Sequence, residues 1–246
     1  MDWSDEGIFL SGKPLGEANL IAEILTLEHG RHLGLVRGGR SRRVRPTLQP
    51  GNLVRVTWRA RLSEHLGGFN VELMEAHGAR ALDDARALFA IGTLAGLVRL
   101  LPERDPHPEL YATTLHVLRS FGEPDIWPAL LVYWEYQLLQ ELGFGLDLSS
   151  CAATGALEEL TYVSPRSGRA VSREAGEPYG DKLLALPRFL LDETAPFLEA
   201  DIAAGFALTG FFLERDVLEP HGMTLPSARD RLLDLLARGQ KTALSA

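Results

Sequence analysis

The sequence predicts a multi-domain α+β chain, with a small closed β-barrel over residues 1–78 and a helical domain over residues 79–246. Three observations carry that expectation. Short runs rich in Ile, Val, Leu and aromatics, several of them alternating apolar with polar residues, occupy the first 78 positions. From Ala79 onward the pattern turns to Ala- and Leu-rich stretches with helical spacing. A turn-rich, aperiodic segment at 147–179 then interrupts the helices and reads as an insert.

The strand candidates are Gly7–Gly12, Ala18–Leu27, Leu33–Val36, Asn52–Leu62 and Phe69–Glu75. His29-Gly30, Gly38-Gly39, Pro50-Gly51 and Gly67-Gly68 punctuate them as turns. Five strands in about 75 residues suit a closed barrel of the oligonucleotide-binding (OB) type. In that setting Arg40, Arg42, Arg43 and Arg45 belong to a flexible loop. Arg55, Arg59 and Arg61 share one strand, where even spacing puts side chains on one face. Trp58 is one step out of phase with them and points into the barrel. Phe69, on the last strand, is a candidate ring for stacking on a base.

The helices follow in order. Ala79–Leu101 stops at Pro102, and Glu109–Phe121 is closed by Gly122 and Pro124. Asp125 can cap a third helix, with Pro128 in its first turn and Gly143 just past its end. Trp127, Leu131, Trp134, Leu138 and Leu142 recur along it at steps of four and three and read as core. Ile202–Leu213, apolar nearly all round, reads as a buried central helix. Ser227 with Asp230 opens a last amphipathic helix through Leu232, Leu233 and Leu236.

The chain has 246 residues, 46% of them hydrophobic, and a net charge of -8 that is unevenly spread. Residues 1–80 balance at +2 and the remainder at -10. Nine arginines (31, 37, 40, 42, 43, 45, 55, 59 and 61) lie between Arg31 and Arg61 with no Asp or Glu among them. Such a block repels itself unless an anion sits against it, so it reads as a polyanion site rather than a solvated face. Arg166, Arg169 and Arg173 form a second, shorter acid-free cluster. They are read as an extension of a nucleic-acid path, as a contact for an acidic protein tail, or as surface arginines with local partners. The acidic N-terminus lacks a signal-peptide pattern and the longest apolar run is too short to span a bilayer, so the chain reads as cytoplasmic.

Several catalytic patterns fail on inspection. Gly7 to Lys13 matches the start of a phosphate-binding P-loop, but Pro14 stands where a magnesium-binding hydroxyl is needed, and the loop would consume a strand. His29 and His32 read as satisfied surface histidines, and none of the seven histidines has a metalloenzyme spacing. Asp83-Asp84 and Glu158-Glu159 read as solvated acids. Cys151, the only cysteine, has no evident base. The chain is therefore expected to be non-catalytic and cofactor-free.

The insert hides a duplication, Cys151-Ala-Ala-Thr154-Gly155 and Ser172-Arg-Glu-Ala175-Gly176. Both have the spacing of a Cys-x-x-Cys-Gly zinc knuckle, yet one of four ligand positions is cysteine, too few for structural zinc. Leu157, Leu160, Tyr162 and Val163 are expected to form a mini-core instead, with Ser and Thr hydroxyls capping the turns.

These residues resemble the bacterial recombination mediator family RecO over essentially the whole chain. The likeness is carried by Gly7-Ile-Phe-Leu-Ser-Gly-Lys-Pro-Leu-Gly16-Glu-Ala-Asn19, Ile24-Leu-Thr-Leu-Glu-His-Gly30-Arg31, Val36-Arg37-Gly-Gly-Arg40 and Leu48-Gln-Pro-Gly-Asn-Leu-Val54. Tyr133 to Phe144 resembles the helix before the family's zinc knuckle, and Ser164-Pro-Arg-Ser-Gly168 sits between the half-knuckles. The resemblance implies an N-terminal OB barrel, a C-terminal helical domain, and binding of single- and double-stranded DNA with annealing of complementary strands. It also implies partnership with RecR and the acidic C-terminal tail of the single-stranded-DNA-binding protein, indirect action on RecA at gapped DNA, and a nucleoid-associated location. Zinc is common in the family and does not carry over to Thr154, Ser172 and Ala175. An RNA-binding OB module and a protein-only adaptor are the alternatives that composition leaves open.

Overall fold

The computed structural model describes residues 1–192 and 194–243, the last five of these by backbone alone. Five strands, β1 (Asp2–Leu15), β2 (Asn19–Thr26), β3 (Gly30–Val36), β4 (Leu53–Arg59) and β5 (Gly68–Glu75), close into a barrel in the order β1-β2-β3-β5-β4. Only the β3–β5 junction, at Leu35 and Gly68, is parallel. This is the OB arrangement expected from the sequence. Strand β1 is long enough to pair with both β2 and β4, and a register shift between Phe9 and Ser11 bends it. Gly7 to Lys13, the false P-loop, lies inside it.

Alternation on β4 sends Val54, Val56 and Trp58 inward and leaves Arg55 and Arg59 exposed. Phe9, Ile24, Val36, Leu48 and Phe69 complete the barrel core. The strand ends at Arg59, so Arg61 lies beyond it in a bend and does not extend the arginine row. His32 also departs from expectation: it is buried among Trp3, Trp58 and Phe69. His29 stacks on Trp3 at 4.0 Å and holds Asp5 at 3.0 Å through Nδ1.

Helices α1 (His77–Ala81), α2 (Ala85–Val98) and α3 (Pro108–Arg119) follow. The single helix expected over Ala79–Leu101 is broken because Asp84 caps α2, accepting the Arg86 N–H at 2.9 Å. One compact unit comprises Met1–Gly122 with Pro226–Leu232, so it holds these helices with the barrel. Glu23, buried on β2, explains part of that association. It receives Arg99 from the end of α2 at 2.7 Å and Arg31 from β3 at 3.1 Å. Gly30 has φ +64°, and a Cβ there would lie 2.0 Å from the Asp105 carbonyl oxygen, so this turn admits no side chain.

The second unit comprises Glu123–Leu225 and the chain from Leu233 onward. It contains α4 (Trp127–Glu141), β6 (Leu160–Val163), β7 (Ala170–Ser172), α5 (Arg173–Gly176), β8 (Leu184–Ala185) and α6 (Glu199–Phe212). A final helix, α7 (Ser227–Ala243), contributes its first residues to one unit and the rest to the other. Trp127, Leu131, Trp134 and Leu138 are buried as the stripe on α4 predicts. Asp125 does not cap α4; Ile126 precedes it without a side-chain bond. Gly205 lets α6 approach α4, for a Cβ there would meet Val132 at 2.5 Å. The insert is more regular than expected, with a sheet ordered β7-β6-β8. Its core holds Leu160 and Val163, whereas Leu157 is 74% exposed and takes no part in it. Among the described residues no helix is long and apolar enough to cross a membrane.

Candidate nucleic-acid interface

The chain between β3 and β4 is a string of hydrogen-bonded turns. Val44 and Arg45 each donate an N–H to the Ser41 carbonyl, and Leu48 donates to Val44 at 3.3 Å. The Arg40 N–H bonds the Ala18 carbonyl at 3.0 Å, and Leu48 is buried in the barrel core. Apolar anchors thus hold the loop down while its arginines face outward. Arg37, Arg40, Arg42, Arg43 and Arg45 are all exposed. Among the described residues Arg40 alone of these five has a side-chain partner, donating through one nitrogen to the Gly16 and Glu17 carbonyls at 3.1 and 3.0 Å.

Two grooves flank this loop. The first, of about 700 Å³, is lined by Arg37, Val44, Thr57, Arg59, Asn70 and Val71 among others. The second, of about 520 Å³, is lined by Arg40, Arg45, Leu48, Gln49, Pro14 and Pro50 among others. No Asp or Glu among the described residues lines either groove. Thr57, Asn70 and Gln49 were not singled out from the sequence. Their signal is strand register, which puts Asn70 beside Thr57 only once β4 and β5 are paired.

Register also brings acids to the arginine row. Arg55 stands opposite Glu6 on β1 and Glu72 on β5, which places all three on one face. Arg59 lies 3.7 Å from Asp2, with both side chains mostly exposed. Arg31 is set apart altogether. Its side chain is 12% exposed, tied to Glu23 and to the Leu101 carbonyl at 3.2 Å, and so is structural. Glu23 is itself a held charge: burial would raise its pKa, but the Arg99 and Ser11 hydrogen bonds and the nearby guanidiniums bring it below the usual carboxylate range.

Phe69, the candidate ring for stacking on a base, is turned away from the barrel surface, and Trp58 points inward as its phase predicts. Phe69 is 6% exposed and packs against the core, as does Trp58, whose Nε1 donates to the Leu66 carbonyl at 3.0 Å. Phe69 sits opposite Trp58 in the β4–β5 register, and cross-strand partners share a face, so both rings turn inward. Trp3 is flanked by His29 and Trp58.

The second arginine cluster does not survive folding as a cluster. Arg169 pairs with Asp147 at 3.1 Å and Arg173 with Glu159 at 3.7 Å, while Arg166 is exposed on the turn after β6. Here the reading of arginines with local partners fits the geometry.

The knuckle remnant fails the test for zinc. Structural zinc takes four N or S donors, and Thr154, Ser172 and Ala175 provide none. Among the described residues no group of three or more His, Cys, Asp or Glu could hold a metal. Instead the two turns meet directly: the Ser172 N–H and hydroxyl donate to Cys151 Sγ at 3.2 and 3.3 Å. Burial alone would raise the Cys151 pKa, but bonds from Ser172 and Thr154 to the sulfur bring it down to about 6.

Family models described as recombination protein O N terminal and C terminal match residues 1–77 and 82–224. A DNA repair protein RecO of Methylorubrum populi is 51% identical over 247 residues, covering 98% of this chain and all of that protein. The protein of the same description from Sinorhizobium medicae is 50% identical over all of this chain and 98% of its own length. That from a Chelativorans species is 51% identical with complete coverage of both.

Proposed function

We propose, for a chain that belongs to the RecO family of DNA repair and recombination proteins, that the barrel binds DNA through the β3–β4 loop and anneals complementary strands. The observation that carries this reading is the set Arg37, Arg42, Arg43 and Arg45, which are exposed on an anchored loop and make no ion pair among the described residues. Each such guanidinium can neutralise a phosphate and release condensed counterions, which gives strong, sequence-independent, salt-sensitive binding. With Trp58 and Phe69 turned inward, stacking adds little, so affinity rests on charge.

Annealing needs no catalytic group. A cationic surface that suppresses the repulsion between two strands leaves base pairing to complete the reaction. In the cell this activity would act with RecR and the single-stranded-DNA-binding protein to load RecA on gapped DNA, without chemistry of its own. The test is charge reversal, Arg42→Glu with Arg43→Glu. Single-strand affinity should fall at least about tenfold at moderate salt, with a flatter salt dependence. Unchanged affinity and slope would refute the DNA role of the loop, and preference for RNA over DNA would favour an RNA-binding module.

A further inference from the structure

We propose that the β3–β4 loop is a partition, and that the grooves on its two sides each hold one single-stranded DNA segment, so that one barrel carries two strands at once. The proposal rests on the function above and gives it a geometry. Consecutive residues of the loop serve different grooves, Val44 the first and Arg45 the second. The turn that separates them is fixed by the Val44 and Arg45 bonds to Ser41 and by buried Leu48, so the wall is built in.

The two sides have the same chemistry. Each offers two arginines and no carboxylate among the described residues: Arg37 and Arg59 on one side, Arg40 and Arg45 on the other. Each adds neutral polar and apolar side chains, Thr57 and Asn70 with Val44 and Val71 on one side, Gln49 with Leu48 and Pro50 on the other. Their volumes, about 700 and 520 Å³, lie within the roughly 300–1,000 Å³ that accepts a compact ligand such as a nucleotide. Arg40 spends one nitrogen on carbonyls and keeps the rest of its guanidinium for phosphate. Arg59 meets Asp2 in an exposed, loose pair that a phosphate can displace. Arg42 and Arg43 line neither groove; exposed on the same loop, they add to the positive field in which both backbones would sit.

The probe is a single-stranded DNA oligonucleotide of about four to six nucleotides, at the short end of what one OB barrel covers. Native mass spectrometry and anisotropy titration of the full chain should give two oligonucleotides per chain. Arg37→Glu with Arg59→Glu, and separately Arg40→Glu with Arg45→Glu, should each reduce this to one and lower the annealing rate at least tenfold. Arg45→Glu alone, which leaves the Arg40 bonds intact, should weaken only one of the two binding events. A mixture of the two double variants should not restore annealing, because both strands must sit on one molecule. One oligonucleotide per wild-type chain, with binding that still depends on Arg42 and Arg43, overturns the partition and leaves the proposed function standing. No binding by the wild-type chain overturns both.

Discussion

The arginines of the β3–β4 loop and those of the insert look alike in sequence and end differently. Both sets are dense, and the loop arginines have no Asp or Glu between them, nor do Arg166 and Arg169. In the insert, β6–β7 pairing and the turns around it deliver Asp147 to Arg169 and Glu159 to Arg173. In the loop, turns bonded to themselves and anchored by Leu48 hold Arg37, Arg42, Arg43 and Arg45 out in solvent, unpaired among the described residues. An acid-free stretch of sequence keeps its full cationic charge only where the fold brings no acid to it. Arg31 makes the point inside the barrel: it opens the stretch, yet β2 supplies Glu23 and turns it into a structural residue.

The largest effect should come from breaking that exception. Glu23→Gln leaves Arg31 and Arg99 facing a neutral amide, and chemical unfolding should show a loss on the order of 3 kcal/mol. Single-strand affinity of the folded variant should stay within twofold; a loss of binding without a loss of stability would return Arg31 to the interface. Next, Ser172→Ala removes the hydroxyl donor to Cys151 and should cost about 1–2 kcal/mol. Added to Cys151→Ala it should cost little more, since the pair acts together. A chelator should leave the melting temperature unchanged; a chelator-dependent Tm would mean that a metal holds the knuckle after all.

The two regions should also differ in pH response. Burial pushes His32 down to about 4, so its stabilising contribution is complete above its ordinary value near 6.5 and is lost as pH falls toward 4. Cys151, held near 6 against an ordinary thiol value near 8.5, contributes fully above that value and loses its contribution as pH falls toward 6. His32→Phe should therefore flatten the stability curve between about pH 6.5 and 4, and Cys151→Ala should flatten it at higher pH. A His32→Phe effect centred at the same pH as that of Cys151→Ala, or above it, would contradict this assignment.

Much of this was legible in the sequence. Period-two alternation placed Trp58 inside, and the turn pairs located the strands and with them the OB barrel. What escaped depended on register and on tertiary neighbours. Phe69 reads as available until β5 is set against β4, when it falls opposite Trp58. Arg55 reads as free until Glu6 and Glu72 arrive from adjacent strands. Arg61 keeps the spacing of the row, but β4 ends two residues before it. Asp84 reads as a solvated acid because nothing local distinguishes it from Asp83; its role as a cap appears only where the helix breaks. In the insert, the half-knuckle spacing pointed to the right turns, while the serine-to-sulfur bond that joins them spans 21 residues.

The most direct test compares the two arginine sets in one salt titration of single-stranded DNA binding. Arg42→Glu with Arg43→Glu should reduce the slope of log affinity against log salt by about 1.4, near 0.7 for each phosphate that is no longer neutralised. Arg169→Glu with Arg173→Glu should leave slope and affinity within error of the parent chain. Equal reductions in the two variants, or a larger one in the insert, would contradict the claim that the loop arginines, and not those of the insert, carry the interface.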